Sequence, residues 1–495
     1  MKPTIAFSRR DFLRRSLLTT GALALGGCAT TAPVFRPRVR LPGEKLSIAA
    51  IGCGGKGEAD INGVMEAGAR VVALCDVEAT DLLKRAEEVR AKNNPAVRLY
   101  RDFRVMLERE KEFIDAVTIS IPDHMHAPAA ALAMRLGKHV YCQKPLTHTI
   151  WEARRLRALA KQTGVVTQMG NQGSATGELR RGVELLQAGV IGPVREVHIW
   201  TNRPVWPQGI ARPTRADIVP DSLDWNLWLG VAPARPYVGG NDKLVADKKI
   251  YHQQGFGAYH HFNWRGWHDF GTGALGDMAC HTANLPFRAL NMGYATEVEA
   301  QVEGAAKETY PKMSKVRFQF PARPNPVKPG VLLPPLTLWW YDGGWKPEDQ
   351  LIEDVTTLRG ETPIAGCYFV GEKGRLFSAG DYGDGNTMRL NNEGKLRSVK
   401  KHETCKNVPE VLPRLKGQDT DHYQEWVDAC LAGKPERPFS RFEIAAYLTE
   451  IILIGCIAQR LPGKKIQWDG PNMRSPNTPE VAPLVRGPYR PGWTV

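Results

Sequence analysis

The stretch from residue 46 to residue 57, LSIAAIGCGGKG, decides the fold of the first half of this chain. Its first six residues suit a short buried strand, and residues 52–57 then follow the pattern G-x-G-x-x-G. The sequence beyond predicts a helix over residues 58–67 and a second strand over residues 69–75. A strand, a glycine-rich turn, a helix and a second strand in this order are typical of a dinucleotide-binding unit.

Each glycine of the G-x-G-x-x-G pattern has its own role in holding a dinucleotide. Gly52 allows the tight turn, Gly54 lets backbone approach a pyrophosphate, and Gly57 permits close packing of helix on strand. Asp76 follows the second strand, close to where an acidic residue receives the ribose hydroxyls. The predicted cofactor-binding residues of this unit are Gly52, Gly54, Gly55, Lys56, Gly57 and Asp76. The alternative is a glycine-rich loop in an unrelated α/β protein, and the complete context favours the cofactor.

Two side chains of this unit bear on which cofactor binds. A carboxylate at Asp76 would repel a 2′-phosphate and so favours NAD. The ammonium group of Lys56 keeps NADP open as the alternative. We therefore expect NAD, with NADP as the second choice.

Strands and helices continue to alternate after this unit. Apolar runs predict strands over residues 113–121 and 138–142, with a helix over residues 127–136 between them. Thr149 and Glu152 form a capping box at the start of a helix that ends at Thr163. Repeated units of this kind predict an α/β fold with a doubly wound parallel sheet, a Rossmann domain over residues 46–170.

Composition and charge limit the class of protein. The length of 495 residues predicts two or three domains, and 42% hydrophobic with 24% charged residues is ordinary for a globular chain. No run of about 18 apolar residues occurs, which argues against a polytopic membrane protein. The net charge is +14, of which residues 1–27 contribute +4 (five basic residues and one acidic). The remaining +10 is spread along the chain without a clustered stripe, so we expect no nucleic-acid partner. The cysteines show no framework spacing and are expected to be buried thiols.

The first 28 residues are interpreted as an export signal. Arg9 and Arg10 match a twin-arginine pattern, and a short apolar stretch follows from Leu17 to Leu25. Cys28 ends a sequence that is typical of a lipoprotein box, so a lipid anchor there is one prediction and simple cleavage near residues 29–32 is the alternative. Residues 29–45 are expected to be a linker. We predict a periplasmic protein or a membrane-anchored lipoprotein.

Several later motifs give the chain a specific resemblance. Gln143-Lys144-Pro145 follows a predicted strand, and Gly273-Ala274-Leu275-Gly276-Asp277 precedes His281 by one helical turn. With Pro122-Asp123-His124, residues 169–172 (MGNQ) and residues 224–228 (DWNLW), these motifs resemble the Gfo/Idh/MocA oxidoreductase family, over nearly all of residues 46–493. That family normally has Glu-Lys-Pro where this chain has Gln143, so Gln143 marks divergence within it.

The resemblance implies a second domain and a set of site residues. Residues 171–495 should form a C-terminal α+β domain with an open, mostly antiparallel sheet, which binds substrate and supports homo-oligomers (dimers or tetramers). The implied catalytic residues are Lys144, Asp277 and His281. Further cofactor contacts are expected from Pro122, His124, His126, Lys144 and Asn171. Substrate contacts are expected from Gln172, Trp206, His260, Trp264, Arg265, Asp277 and His281.

Each of these assignments has a plainer alternative. Asp277 and His281 could be a helix cap and a buried core residue, although within this motif we favour catalysis with His281 as the base. The aromatic and imidazole groups of residues 256–267 suit a sugar pocket, and core packing explains some of them equally well. His124 with His126, or His260 with His261, could suggest a metal. No Cys, Asp or Glu stands at a spacing from these histidines that is typical of a metal site, so no metal is expected.

The leading hypothesis is an exported NAD(P)-dependent oxidoreductase that acts on a CH–OH group of a sugar, glycoside or cyclitol. Because no free NAD pool is expected outside the cytoplasm, the cofactor should be tightly bound. The first alternative is a redox-neutral NAD-dependent glycosidase or lyase that works through a transient keto-sugar. The second alternative is a non-catalytic sugar-binding lipoprotein.

Overall fold

The computed structural model describes residues 43–239, 257–415 and 421–495 of the chain. The predicted export signal and Cys28 lie outside these residues. The described chain contains two large sheets, one fully parallel and one mixed.

The first sheet has six parallel strands in the order β3-β2-β1-β4-β5-β6. The strands are β1 (Ser47–Ile51), β2 (Arg70–Cys75), β3 (Arg98–Tyr100), β4 (Ala116–Ile119), β5 (His139–Cys142) and β6 (Thr167–Met169). The connecting helices are α1 (Lys56–Glu66), α2 (Ala79–Lys92), α3 (Phe103–Glu110), α4 (His126–Arg135) and α5 (Ile150–Thr163). The strand order reverses beside β1, which is the switch point at which such sheets bind ligands. The predicted doubly wound fold is confirmed.

Local sequence explains why these elements form where they do. All four residues of β4 and of β5 are buried, as continuous apolar strands of a parallel sheet should be. Helix α5 begins with the predicted capping box of Thr149 and Glu152, and it ends at Gly164 in the left-handed conformation. Because these strands pair in parallel, β1, β2, β4 and β5 all end at the same edge of the sheet.

The second sheet has nine strands in the order β16-β15-β14-β13-β7-β12-β9-β8-β17. Its strands, together with the separate pair β10 and β11, are β7 (Val194–Trp200), β8 (Glu297–Glu303), β9 (Met313–Phe320), β10 (Arg323–Pro324), β11 (Leu332–Leu333), β12 (Leu336–Asp342), β13 (Gly366–Gly371), β14 (Gly374–Ser378), β15 (Thr387–Leu390), β16 (Arg397–Ser398) and β17 (Ile466–Gln467). Only β7 and β12 pair in parallel within this sheet, so the predicted mostly antiparallel sheet is confirmed. The proline-rich stretch 321–336 contains the short β10–β11 hairpin.

The helices of the second half pack on both sheets. They are α6 (Gly177–Ala188), α7 (Trp225–Leu229), α8 (Gly273–Thr282), α9 (Asn284–Ala289), α10 (Glu353–Arg359), α11 (Glu403–Lys406), α12 (Asp421–Ala432), α13 (Phe442–Arg460) and α14 (Ala482–Val485). Helix α12 joins the core of the parallel sheet, because Tyr423 and Trp426 belong to the same buried cluster as Ile48 and Ile61. The first domain is thus completed by a segment from near the end of the chain.

Helix α13 is the one described helix that is long and apolar enough to cross a membrane. Its apolar window is 83% buried within the protein, and the helix packs against α5 and α8. It therefore forms part of the core between the two halves of the described chain. All eight described cysteines are buried and none forms a disulfide, as the sequence predicts.

Candidate active site

A cleft of about 1090 Å³ runs along the carboxyl edge of the parallel sheet. One end is lined by the glycine turn and by Asp76, and the other end is lined by Lys144, Asp277 and His281. The fold brings these groups together because β1, β2 and β5 end at this edge, while α8 forms the opposite wall. One cleft therefore contains both the predicted cofactor site and the predicted catalytic residues.

The glycines of the turn are required by close backbone approaches. A Cβ atom on Gly52 would lie 2.2 Å from the Ser120 carbonyl oxygen, and one on Gly57 would lie 2.3 Å from the Gly52 carbonyl oxygen. Gly52 and Gly55 also have positive φ angles of 91° and 51°. The turn therefore has the tight backbone path that the G-x-G-x-x-G pattern predicts.

The start of α1 and Asp76 fit a dinucleotide. No side chain caps the N-terminus of α1. The Gly57 N–H donates to the Gly54 carbonyl at 2.9 Å, and the other amides of this end can meet a phosphate. The two carboxylate oxygens of Asp76 accept hydrogen bonds from the backbone N–H of Cys53 at 2.7 Å and of Glu78 at 2.9 Å. These bonds hold the carboxylate at the cleft wall, with lone pairs left for the ribose hydroxyls. Burial raises the pKa of Asp76, and the two backbone bonds oppose that effect.

The Lys56 ammonium contacts neighbouring side chains of the cleft. Its nitrogen atom lies 3.2 Å from an Asp60 carboxylate oxygen and donates to the Tyr423 hydroxyl at 3.0 Å. Gln172, with its amide oriented to satisfy both ends, accepts from Lys56 at 2.7 Å and donates to the Gly170 carbonyl at 3.0 Å. Lys56 and Gln172 thus form one contact pair in the cleft, and the Lys56 ammonium is already paired with Asp60.

Lys144 and Asp277 form the centre of the catalytic end. The Lys144 ammonium donates to the Asp277 carboxylate at 2.9 Å and to the Asp277 backbone carbonyl at 3.0 Å. The Arg265 guanidinium lies 3.4 Å from the same carboxylate. Burial alone would raise the pKa of Asp277, but Lys144 and Arg265 hold it below its ordinary value. Asp277 is therefore an anion that fixes two cations at the cleft wall.

His281 is placed to accept a proton. Its ring stands edge-on to the Tyr382 ring at a centroid distance of 4.9 Å, and its Nδ1 atom is buried with no hydrogen-bond partner among the described residues. Burial and the nearby Lys144 ammonium lower the pKa of His281 well below its usual value. The imidazole is consequently neutral at pH 7 and has a nitrogen lone pair free for a proton.

A buried network replaces the glutamate that the family normally has before the lysine. The Gln143 amide donates to the Asp60 carboxylate at 2.8 and 3.0 Å. Asp60 is fully buried and also accepts from the Ser120 hydroxyl at 2.6 Å and from the Tyr423 hydroxyl at 2.7 Å. The negative charge that is missing at position 143 is thus supplied by Asp60, one helical turn from Lys56.

Aromatic rings form the wall beside the catalytic end. The Arg265 guanidinium lies over the rings of Trp264 at 4.2 Å, Phe262 at 4.3 Å and Trp206 at 5.9 Å. All four side chains line the cleft. The 3-10 turn of residues 263–266 and the ion pair with Asp277 hold Arg265 there, so this wall offers ring faces and a fixed cation to a ligand.

His260 lines the cleft beside Glu78. Its Nε2 atom is 3.7 Å from the Glu78 carboxylate, and Glu78 closely follows Asp76. Glu78, His260 and His261 offer three ligand atoms within 4.8 Å of one another. The prediction of no metal stays a prediction. His260 thus lies near Asp76, and its predicted substrate contact stays a prediction.

Three predicted cofactor residues are buried behind the cleft wall. The ring nitrogens of His126 lie 2.8 and 2.7 Å from the carbonyl oxygens of Pro145 and Ile121, and those of His124 face two other backbone carbonyls. Asn171 donates to the Cys280 carbonyl at 3.3 Å and accepts from Ser440. These side chains tie the segments around Pro122 and Lys144 to the second half. Pro122 itself lines the cleft.

The sequence did not single out several residues that line or support the cleft. Arg203, Asp381, Tyr382 and Tyr423 reach it from segments that carry no recognisable motif. Asp123 lies buried beneath the catalytic end, where burial raises its pKa to about 8 although the Thr272 hydroxyl donates to it at 2.8 Å. Only proximity in the fold reveals these residues.

Comparison with known proteins supports the first domain directly. Residues 46–171 match the family described as "Oxidoreductase family, NAD-binding Rossmann fold", Gfo/Idh/MocA. A glycosyl hydrolase family 109 protein 2 of Shewanella sp. (strain ANA-3) is 32% identical over 163 residues, which are 30% of this chain and 35% of that protein. A dTDP-3,4-didehydro-2,6-dideoxy-alpha-D-glucose 3-reductase of Actinomadura kijaniata is 34% identical over 126 residues, 26% of this chain and 37% of that protein. The matched part thus spans about a third of these curated relatives.

Solved structures resemble the described chain over both halves. The WlbA dehydrogenase of Bordetella pertussis, in complex with NADH and UDP-GlcNAcA, has a TM-score of 0.55 at 15% identity, covering 86% of this chain and 99% of that one. An inositol dehydrogenase homolog of Azotobacter vinelandii, with NADH and myo-inositol, has a TM-score of 0.54 at 14% identity, covering 86% and 98%. At such identities the likeness shows the fold.

The glycine turn, the open N-terminus of α1, Asp76 and the family match all concern the same part of the chain. For residues 46–171, the predicted family and the predicted NAD cofactor are confirmed. Residues 46–171 are an NAD-binding Rossmann domain of the Gfo/Idh/MocA oxidoreductase family, joined to a second domain of mostly antiparallel sheet.

Proposed function

We propose that this protein is an NAD-dependent oxidoreductase that acts on a CH–OH group of a sugar, glycoside or cyclitol. The observation that carries the proposal is the Lys144–Asp277 ion pair of 2.9 Å, beside His281, in the same cleft as the glycine turn. When bound, NAD supplies the hydride acceptor. Gly52, Gly54, Gly57 and Asp76 would hold it, with Lys144 at its reactive end.

The side chains at the catalytic end suit oxidation of an alcohol. As the substrate carbon loses a hydride, its hydroxyl must lose a proton, and the neutral imidazole of His281 can take that proton. The Lys144 ammonium stabilises the negative charge that develops on the oxygen, and Asp277 fixes the position of that ammonium. The same groups can return the proton in the reverse direction.

Relatives and neighbours support a carbohydrate substrate. The curated relatives are named as a glycosyl hydrolase and as a reductase of a nucleotide-linked sugar, and the solved neighbours include an inositol dehydrogenase homolog bound to myo-inositol. In this chain the ring faces of Trp206 and Trp264 and the guanidinium of Arg265 could meet a sugar's apolar face and its hydroxyls.

The test is turnover of a sugar panel with NAD, followed by the absorbance of reduced nicotinamide. We expect the wild type to reduce NAD with at least one neutral sugar or cyclitol. Lys144→Ala should lose at least about 100-fold in kcat, the scale of a removed electrostatic or proton-transfer group. Lys395→Ala, at an exposed turn, is the matched control and should retain activity. Equal activity of Lys144→Ala and wild type would contradict the proposal.

A redox-neutral glycosidase or lyase is the second candidate, favoured by the relatives named glycosyl hydrolase family 109. A transient ketone would acidify a neighbouring C–H, and loss of that proton would allow elimination of the aglycone to leave a double bond. In a glycosidase water then adds to that double bond, in a lyase the double bond remains, and in both the hydride returns to the ketone carbon. Release of aglycone without net reduction of NAD would select this function. Accumulation of a keto-sugar with an equivalent of NADH would select the first.

Export fits either activity if the cofactor is held tightly. We propose that the twin-arginine pattern at Arg9 and Arg10 directs export of the folded, NAD-loaded protein, and that Cys28 takes a lipid anchor. We also propose a homo-oligomer formed through the nine-stranded sheet, one face of which carries Trp339 stacked on His198. Fractionation of a producing bacterium and light scattering of the purified protein test the two proposals.

A further inference from the structure

The loop between β14 and β15, residues 379–386, forms part of the wall at the catalytic end. It places Asp381 and Tyr382 in the cleft, and Tyr382 stands against the ring of His281. The loop is anchored on α6, because the Gly385 N–H donates to the Glu178 carboxylate at 2.7 Å and the Asn386 amide donates to the Glu178 carbonyl at 3.1 Å. Asp381 is thus held in place by structure that does not depend on a ligand.

The Asp381 carboxylate is incompletely bonded. Its Oδ1 atom is buried and has no hydrogen-bond partner among the described residues. Burial raises the pKa of Asp381, with Arg203 opposing the effect and with Lys144 and Asp277 both close enough to influence it. A buried polar atom without a partner is costly. Asp381 also lines the cleft, so a ligand there can supply its carboxylate with a hydrogen bond.

The charges around Asp381 select the kind of ligand. Lys144 and Arg265 are already paired with Asp277, and Arg203, the further cation close to Asp381, is balanced by Asp381 itself. A substrate carboxylate beside Asp381 would face a like charge. A hydroxyl would instead donate to the Asp381 carboxylate, and hydroxyl donors to carboxylates form strong hydrogen bonds.

We propose that Asp381 determines specificity by accepting a hydrogen bond from a hydroxyl next to the one that reacts. The substrate is then an uncharged ring with free hydroxyls on adjacent carbons, rather than a sugar acid or a ring deoxygenated beside the reacting carbon. This inference rests on the proposed function, since it needs the reacting hydroxyl to lie at Lys144 and His281.

The test combines a variant that lacks the Asp381 carboxylate with substrates that lack one hydroxyl. D-Glucose, D-galactose and myo-inositol, their monodeoxy analogues, and D-glucuronate and D-galacturonate are assayed with wild type, Asp381→Ala and Asp384→Asn. Asp384 is the matched control, because it lies in the same loop and has an equally unpartnered buried oxygen but does not line the cleft.

With wild type and Asp384→Asn, one monodeoxy analogue should lose roughly 10- to 150-fold in kcat/KM, the range for a hydrogen bond to a charged group. With Asp381→Ala the same deoxygenation should cost less than about 3-fold, and the uronates should gain relative to the neutral sugars. A full deoxygenation penalty in Asp381→Ala overturns the inference and leaves the proposed function standing. No turnover of any panel member by wild type, despite bound NAD, overturns both.

Discussion

Replacing Gln143 by glutamate would restore the residue that the family normally has, and we expect it to destabilise this protein. The Gln143 amide nitrogen donates to both oxygens of Asp60, at 2.8 and 3.0 Å, and both side chains are buried. Glutamate has nearly the same shape, so the substitution would put a second carboxylate oxygen where the amide nitrogen lies. The hydrogen bond would become a contact between two negative charges.

The size of the effect follows from that distance. Two like charges about 3 Å apart repel by about 5–6 kcal/mol at an effective dielectric constant of about 20. The pair can avoid this repulsion by binding one proton, which costs about 4 kcal/mol at pH 7 for a carboxyl group with an unfolded pKa of about 4.3. The smaller cost sets the outcome, and the free energy of unfolding should fall by about 3–4 kcal/mol at pH 7.

The loss must depend on pH in a defined direction. The new carboxyl group has a folded-state pKa above its unfolded value, so the variant is least impaired below the unfolded pKa and loses stability as the pH rises. At pH 5 the deficit should shrink to about 1 kcal/mol, because each pH unit is worth about 1.4 kcal/mol.

Urea unfolding of wild type and Gln143→Glu at pH 5 and pH 7 measures these values. The double variant Asp60→Asn with Gln143→Glu keeps one carboxylate and one amide in the network and should recover most of the stability at pH 7. A deficit of Gln143→Glu that is the same at both pH values would refute the reasoning. So would a double variant that is no more stable than the single one.

Two further predictions concern catalysis and the cofactor. Burial and Lys144 lower the pKa of His281. We therefore expect kcat/KM to stay constant from pH 8 to below pH 6 and to fall only where the imidazole becomes protonated. An acid limb centred near the ordinary pKa of about 6.5 would contradict the role of His281. Gly57→Ala places a Cβ 2.3 Å from the Gly52 carbonyl oxygen, so we expect a loss of about 1–3 kcal/mol in stability and at least about 10-fold weaker NAD binding by calorimetry. Gly394→Ala, where no atom lies within 4 Å of the added Cβ, should change neither, and equal effects of the two alanines would exclude the turn as the cause.

The sequence predicts the parallel sheet well because its signals are local. Buried apolar strands, the glycine turn and the Thr149–Glu152 capping box each lie within a few residues and form as expected. Lys144, Asp277 and His281 also meet in one cleft, since their motifs sit at the end of β5 and on α8.

Sequence position does not decide which way a side chain points or what a distant segment adds. His124, His126 and Asn171 follow strands that end at the cleft, yet their side chains turn back to bond with buried carbonyl groups. Tyr423 lies 363 positions from Asp60 and bonds to it, and no short pattern could reveal that contact. The carboxylate that replaces the family's glutamate is likewise visible only in three dimensions.

The nucleotide that the natively purified protein carries tests the central claim most directly. Protein purified from the producing bacterium without added cofactor is denatured, and the released small molecules are identified and counted by mass spectrometry. An NAD-dependent enzyme that works beyond the cytoplasmic NAD pool should release close to one NAD per chain, and Gly57→Ala should release much less. A protein that carries no nucleotide, and binds none when NAD is added, would contradict the account.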